Sequence, residues 1–325
     1  MSDRDLNEQL VKYLTDVHSI EEQALTQMRR APEIAGDSEI AEAFRQHCHE
    51  TERQEERVRA LLEAAGESPS TIKDVAGKAG GVGMLLFAKL QPDTPGKLVA
   101  HAYSYEHMEV AAYELLRRVA ERAGSSDTAI AAQEICDEER RMAGRLESLF
   151  DRAADASLRE VAPDDLTEQL RKYLADAHAI EMQSAQMLER APEITEPEGL
   201  ARLYEEHLEE THGHEERIRN RLEAIGGTTS LLKDAGMRLG ALNWGAFFQA
   251  QPDTPAKLAG FAYAFEHLEI GGYEQLKRVA ERADDPETAG TVERILGEER
   301  LAARKLATRW DEAVEASLTQ LVASS

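Results

Sequence analysis

The sequence predicts an all-α protein built from two tandem four-helix bundles. Apolar residues recur at helical spacing along almost the whole chain, and the alternation of β-branched residues that is typical of strands is almost absent. The chain also repeats itself, because LNEQLVKYL at 6–14 returns as LTEQLRKYL at 166–174, 160 residues later. One helical domain has therefore been duplicated within the 325 residues.

The offset of 160 stays constant, since QPDTP at 91–95 returns at 251–255 and RVAERA at 118–123 returns at 278–283. We therefore assign one bundle to 1–158, a linker to 159–165 and a second bundle to 166–325. The linker is short, so we expect the halves to pack together as a pseudo-dimer, as the identical subunits of a dimer do. Further homo-oligomers remain open.

Each half contains four segments long enough to run the length of a bundle. In the first half these are predicted at 5–31, 37–65, 95–123 and 127–157. Ala31-Pro32 is expected to close the first, Gly66 the second and Gly124 the third, while Thr94 and Pro95 fit the N-cap and first position of the third.

A longer crossover at 70–92 joins the second and third helices, and its glycines suggest close packing. It matches neither GxGxxG nor GxxxxGK, and no strand precedes it, which argues against a phosphate-binding loop. A bundle with one long crossover between its second and third helices has the ferritin-like topology.

The composition excludes several classes of partner. The 38 lysines and arginines against 62 aspartates and glutamates give a formal charge of −24, which disfavours nucleic acids and anionic membranes. No apolar run approaches the length of a spanning helix, and the first residues lack the apolar stretch of a signal peptide, so we expect a cytoplasmic protein. Cys48 and Cys136 align with Leu208 and Leu296, which predicts packing rather than chemistry.

Acidic residues interrupt the apolar face of every predicted long helix. The first helix places Glu21 in the row Leu10, Leu14, Val17, Leu25 and Met28, and Glu181 repeats this. The other helices add candidates in both halves, namely His47, Glu50, Glu106, Glu109 and Glu139, and then His207, Glu210, His214, Glu266, Glu269 and Glu299.

A metal ion is the physical reason why such groups can share a bundle core. An unpaired ionised carboxylate buried there costs several kcal/mol, whereas a cation bound among several of them stabilises the ionised forms. Carboxylates with one or two imidazoles suit iron or manganese, and dinuclear sites with bridging glutamates occur in bundle cores. For Glu21 alone, a glutamate at the rim of the core is the competing interpretation.

Several neighbouring residues are assigned less specific roles. His18 and His178 lie one turn before Glu21 and Glu181; they could be ligands or hydrogen-bond donors to ligands, and a partly exposed position is favoured. His107 and His267 point to another face, which favours packing, although a ligand role stays open. Tyr113 and Tyr273 should place a phenol beside the site. Finally, Glu138, Arg141 and Arg145 form an outward charged row without a required function.

These residues resemble the YciE/YciF-like family of bacterial ferritin-like stress proteins. The strings that carry the resemblance are DVHSIE at 16–21, HCHET at 47–51, EHMEVAAY at 106–113 and DEE at 137–139, each with an equivalent 160 residues later. The resemblance covers nearly the whole chain twice. It implies a ferritin-like bundle, a dinuclear iron or related centre, pairing of two bundles and a link to stress.

We therefore predict a dinuclear iron or manganese site in each half that oxidises iron or consumes dioxygen or peroxide. Glu21 and Glu139 would be terminal ligands, Glu50 and one of Glu106 or Glu109 would bridge, and His47 would be a ligand or support one. No further catalytic residue is assigned. The alternative is a non-catalytic structural or interaction protein whose sites are empty or hold an inert ion.

Overall fold

The computed structural model describes residues 3–67, 94–195, 198–228 and 254–324, and across these ranges the chain is helical with no strand. The predicted all-α class is thereby confirmed. The crossover predicted at 70–92 and its glycines lie outside the described residues. Within the described ranges, no helix combines the length and the apolar composition that crossing a membrane requires.

The same order of helices occurs in both halves. The first half comprises α1 (Asp3–Met28), α2 (Ala31–Ile34), α3 (Ser38–Ala64), α4 (Pro95–Arg122), α5 (Ser126–Ser148) and α6 (Phe150–Leu158). After a short 3-10 turn at Pro163–Asp165, the second half comprises α7 (Leu166–Leu188), α8 (Ala191–Ile194), α9 (Glu198–Ala224), α10 (Thr254–Arg282), α11 (Pro286–Ala307) and α12 (Trp310–Ser324).

Several predicted helix ends are confirmed. The Thr94 side chain accepts a hydrogen bond from the backbone N–H of Lys97 at 3.3 Å, and Pro95 is the first residue of α4. Gly66 and Gly124 follow α3 and α4 with φ angles of +97° and +70°. Glycine suits both positions because other residues rarely adopt positive φ.

Two boundaries were predicted wrongly. The first helix ends at Met28, and Ala31-Pro32 begins the short helix α2 instead of closing α1. The fourth segment breaks at Leu149, whose N–H bonds to the carbonyl of Leu146 at 3.0 Å and turns the chain. The break places Phe150 edge-on against Tyr103 of α4, with ring centroids 5.3 Å apart, so the core contact of α6 differs from that of a straight continuation.

The two halves contact each other reciprocally through α4 and α10. Each ion pair across the contact has an equivalent 160 residues away: Lys97–Asp176 matches Lys257–Asp16, and Arg118–Asp311 matches Arg278–Asp151. Such reciprocity defines an isologous contact, in which the same patch is used on both sides. The halves therefore pack about an approximate twofold axis.

Small residues allow α4 and α10 to approach closely. A methyl group added at Gly271 would lie 3.0 Å from the carbonyl oxygen of Ala100, and one added at Gly260 would lie 3.7 Å from the methyl group of Ala111. Gly260 and Gly271 are the equivalents of Ala100 and Ala111. Each contact therefore pairs one alanine with one glycine.

Candidate metal centre

Four long helices direct polar side chains into the middle of each bundle. In the first half α1 supplies Glu21, α3 supplies His47, α4 supplies Glu106 and Glu109, and α5 supplies Glu139, and each of these is at most 1% exposed. Glu106 and Glu109 point from one face because residues three apart are neighbours on a helix. The predicted site residues other than Glu50 and Glu210 are thus buried within the bundles, their second-half equivalents included.

In the first half, four of these residues form one compact cluster. His47, Glu106, Glu109 and Glu139 each offer a ligand atom, and these atoms all lie within 4.8 Å of one another. Nε2 of His47 is 3.0 Å from Oε2 of Glu106 and 3.6 Å from Oε2 of Glu139. One imidazole and three carboxylates therefore surround a single point.

In the second half, two such clusters share one carboxylate. His207, Glu266, Glu269 and Glu299 repeat the first-half cluster, and Glu181, His214 and Glu299 form another. Glu299 directs Oε2 towards Nε2 of His207 at 3.7 Å and Oε1 towards Nδ1 of His214 at 2.5 Å. Two adjacent cation positions bridged by Glu299 are the arrangement expected of a dinuclear carboxylate centre.

The first half differs at one position, where Gln54 replaces His214. The Gln54 amide donates to Oε1 of Glu139 at 2.5 Å and to Oε2 of Glu138 at 3.0 Å. In the second half, Nε2 of His214 instead contacts Oε2 of Glu298 at 2.7 Å. An imidazole is a good ligand for iron and manganese, whereas an amide that donates hydrogen bonds is not, so the halves offer unequal donor sets.

Many of the clustered atoms are buried without a hydrogen-bond partner among the described residues. They include both carboxylate oxygens of Glu106, Glu266, Glu269 and Glu299, and Nε2 of His47 and His207. Nε2 of His47 approaches Glu106 closely, but the contact lacks hydrogen-bond geometry. Buried polar atoms normally have partners, so this many converging donors without them fit a shared cation.

Burial changes the protonation of these carboxyl groups. Burial raises the pKa of Glu21 and of Glu181 to about 8 and that of Glu299 to about 7, and it raises the pKa of Glu109 and Glu139 well above the usual range. Without a cation the cluster therefore retains protons near neutral pH, and a bound metal would displace them.

The histidines shift in the opposite sense from ordinary buried imidazoles. Burial alone would lower the pKa of His47, but the carboxylate of Glu106 raises it well above the usual value. His214 behaves similarly, because Glu299 outweighs burial and raises its pKa to about 9. Each bundle thus holds an excess of negative charge that favours cations of any kind, protons included.

Glu50 and Glu210 lie beside the clusters and not among the clustered ligand atoms. Their carboxylates contact Nδ1 of His47 at 3.3 Å and Nδ1 of His207 at 3.2 Å, and their side chains are 41% and 36% exposed. A carboxylate on the distal ring nitrogen fixes the tautomer that directs Nε2 towards a metal. Their bridging role stays a prediction that this arrangement does not bring about.

The phenols of Tyr113 and Tyr273 lie beside the site, as expected. Each hydroxyl donates a hydrogen bond to Oε1 of a buried glutamate, Tyr113 to Glu21 and Tyr273 to Glu181. All four residues are buried. The hydrogen bonds therefore hold the carboxyl groups of α1 and α7 in one orientation.

The expectation of partly exposed positions for His18 and His178 was wrong. They are 2% and 5% exposed, and their Nε2 atoms contact the carboxylates of Glu55 at 3.1 Å and Glu215 at 2.5 Å. The sequence analysis missed Glu55 and Glu215 as partners, although their occurrence in both halves could have identified them. His107 and His267 lie outside the clusters and stack on each other between the halves, at 3.5 Å between centroids, which agrees with packing.

A family model described as "Domain of unknown function (DUF892)" matches residues 5–159 and again residues 165–319. No solved structure matches the chain. The two matches follow the duplication and cover almost all of the sequence, including every clustered histidine and glutamate. The chain therefore belongs to the DUF892 family and contains its domain twice.

Proposed function

We propose that each half holds a dinuclear iron or manganese centre that oxidises iron or consumes dioxygen or peroxide. The observation that carries the proposal is the position of Glu299, one carboxylate between two clusters of imidazole and carboxylate donors. Oxygen-rich donor sets with imidazole suit iron and manganese in this kind of bundle.

In the second half, His207, Glu266 and Glu269 would hold one ion, Glu181 and His214 the other, and Glu299 both. In the first half, His47, Glu106, Glu109 and Glu139 would hold one ion. Glu21 would contribute to a second position that lacks the imidazole ligand, because Gln54 stands there. Glu50 and Glu210 would orient the histidines.

When bound, such metals supply electrons for reduction of dioxygen or peroxide and Lewis acidity towards their oxygen atoms. The residues of the chain supply the surroundings. The buried face of four helices excludes bulk water, and Tyr113 keeps a hydroxyl proton on Oε1 of Glu21. The carboxyl groups with raised pKa values would release protons on metal binding and accept them on metal loss.

We further propose that the chain is a YciE/YciF-like member of the DUF892 family that acts in the cytoplasm during stress. The family match supports this only at the level of the domain. The proposed small partners are metal ions and dioxygen or peroxide, and the high acidity argues against nucleic acids. Reciprocal packing of the halves supports the pseudo-dimer within the chain.

The decisive experiment loads the metal-free full-length chain with ferrous iron or manganese without oxygen and then counts metals. We expect about two per half, followed by consumption of dioxygen or peroxide on exposure. The variant Glu139→Gln/Glu299→Gln should bind at least tenfold more weakly, while Glu134→Gln/Glu293→Gln, with exposed carboxylates on the same helices, should behave as the wild type. Absence of metal from both halves would contradict the proposal. Metal uptake without any consumption would favour the non-catalytic alternative.

A further inference from the structure

A cavity opens between α3 and α5 of the first half, next to the metal centre. Its volume is about 210 Å³, and its lining comprises Glu50, Arg53, Glu138, Arg141, Met142 and Arg145. The two glutamates connect it with the interior, since Glu50 contacts Nδ1 of His47 and Glu138 accepts a hydrogen bond from Gln54. The outward charged row of α5 therefore forms one wall of a defined space.

The three arginines of the cavity have no carboxylate within 4.0 Å in the described part of the chain. Arg53 donates one hydrogen bond, to the backbone carbonyl of His49 at 2.9 Å. Neighbouring arginines on the same two helices behave differently, because Arg57 pairs with Glu134 and Arg140 pairs with Asp137. Guanidinium groups without carboxylate partners are unusual in a chain with a net charge of −24.

The two carboxylates of the cavity are already engaged by other groups. The hydrogen bond with His47 lowers the pKa of Glu50, and the Gln54 amide holds Glu138. Three guanidinium groups therefore face an opening in which their charge exceeds that of the carboxylates. Guanidinium is the side chain best suited to bind oxyanions through paired N–H donors.

We propose that this cavity binds a small tetrahedral oxyanion such as inorganic phosphate beside the first metal centre. The size of the cavity sets the class of ligand. Sites for drug-sized or cofactor-sized molecules usually measure about 300–1,000 Å³. A space of about 210 Å³ accommodates an inorganic anion with a few waters, but it is too small to enclose a nucleotide. The assignment does not depend on whether metal is bound.

The second half provides a natural comparison. The residues equivalent to Arg53, Arg141 and Arg145 are Gly213, Leu301 and Lys305, so only one cation remains there. The equivalents of the two glutamates, Glu210 and Glu298, are retained and contact His207 and His214. The duplicated metal-binding residues thus remain in both halves, whereas the arginine cluster occurs in one.

The test titrates the full-length chain with inorganic phosphate by calorimetry and ³¹P NMR, with and without chelator. We expect one phosphate per chain under both conditions. The variant Arg53→Gly/Arg141→Leu/Arg145→Lys gives the first half the residues of the second, and we expect it to bind at least about tenfold more weakly, equivalent to about 1.4 kcal/mol. Arg30→Leu/Arg190→Lys/Arg304→Leu changes the net charge equally at exposed arginines elsewhere, and it should bind as the wild type.

Three results would overturn the proposal. One is equal phosphate binding by the cavity variant and the wild type, the second is binding that disappears with chelator, which would place phosphate on the metal, and the third is tighter binding of adenosine monophosphate than of phosphate. The reverse variant Gly213→Arg/Leu301→Arg/Lys305→Arg remains informative if the first variant folds poorly. It should add a second phosphate per chain, and failure of a folded reverse variant to do so would also overturn the proposal.

Discussion

The hydroxyl group of Tyr113 donates a hydrogen bond to Oε1 of Glu21, and both residues are completely enclosed by the first bundle. This contact joins α4 to α1 across the metal centre. Burial raises the pKa of Glu21 to about 8, and the tyrosine opposes this by stabilising the ionised form. Tyr113 therefore favours the protonation state in which Glu21 can bind a metal.

Replacing Tyr113 with phenylalanine should lower the free energy of unfolding of the metal-loaded protein by about 1–3 kcal/mol, because ionised Glu21 loses its buried donor. Urea denaturation measures this effect. Tyr204→Phe is the matched control, since the Tyr204 hydroxyl is buried without a hydrogen-bond partner among the described residues and its removal should cost almost nothing. Equal losses in both variants would argue against a specific role of the Tyr113 hydroxyl.

Glu21→Gln should have opposite effects in the two metal states. Without metal, the change removes a buried acid from a repulsive cluster, so the melting temperature should rise. With metal, the change removes a ligand, so both occupancy and the stabilisation conferred by binding should fall. Thermal melts with chelator and with added iron or manganese test both signs. If the variant melts below the wild type in chelator, Glu21 is a structural carboxylate rather than a metal ligand.

The metal-free protein should lose stability as the pH rises from about 5 to about 8. Glu21, Glu181 and Glu299 have folded-state pKa values of about 8, 8 and 7, above the model value of 4.5. The folded chain therefore binds more protons than the unfolded chain in this window, and the free energy of unfolding falls as these protons leave. Metal binding should strengthen over the same range because metal and protons compete. Melting temperatures in chelator that rise between pH 5.5 and 7.5 would contradict this.

Exchanging Gln54 and His214 should exchange the metal affinities of the two halves. His214→Gln removes the imidazole of the second cluster, so binding at that position should weaken at least about tenfold. Gln54→His supplies the equivalent imidazole beside Glu139 and should strengthen it. Competition with a chromophoric chelator measures both affinities, and the double exchange is the control because it preserves the composition. Unchanged affinities in both single variants would exclude position 214 from the centre.

A fragment comprising residues 1–160 should dimerise through α4, although less tightly than the joined halves pack. In that dimer Ala111 would replace Gly271 opposite Ala100, where a methyl group lies 3.0 Å from a carbonyl oxygen. Ala111→Gly should therefore tighten the dimer, by roughly tenfold if the strain is about 1.4 kcal/mol. Sedimentation equilibrium gives the dissociation constants. A stable monomer in both fragments would contradict the prediction.

The sequence predicted the fold class and most of the clustered residues because helical periodicity and duplication act over short ranges. Glu21 and Glu139 could be identified since each interrupts an apolar row. The break at Leu149 could not, because helix periodicity continues through it and the tertiary contact of Phe150 with Tyr103 accompanies the bend. The partners Glu55 and Glu215 were missed for a similar reason, since pairing between α1 and α3 depends on helix rotation.

The alanine–glycine contacts of α4 and α10 have an evolutionary consequence. In a dimer of identical chains every mutation appears on both sides of the axis, so an enlargement on one side cannot be balanced by a reduction on the other at the equivalent position. Duplication and fusion remove this restriction. Ala100 opposite Gly271, and Gly260 opposite Ala111, are mutually compensating differences of this kind. Fusion thus allows each half to diverge independently while their shared contact remains closely packed.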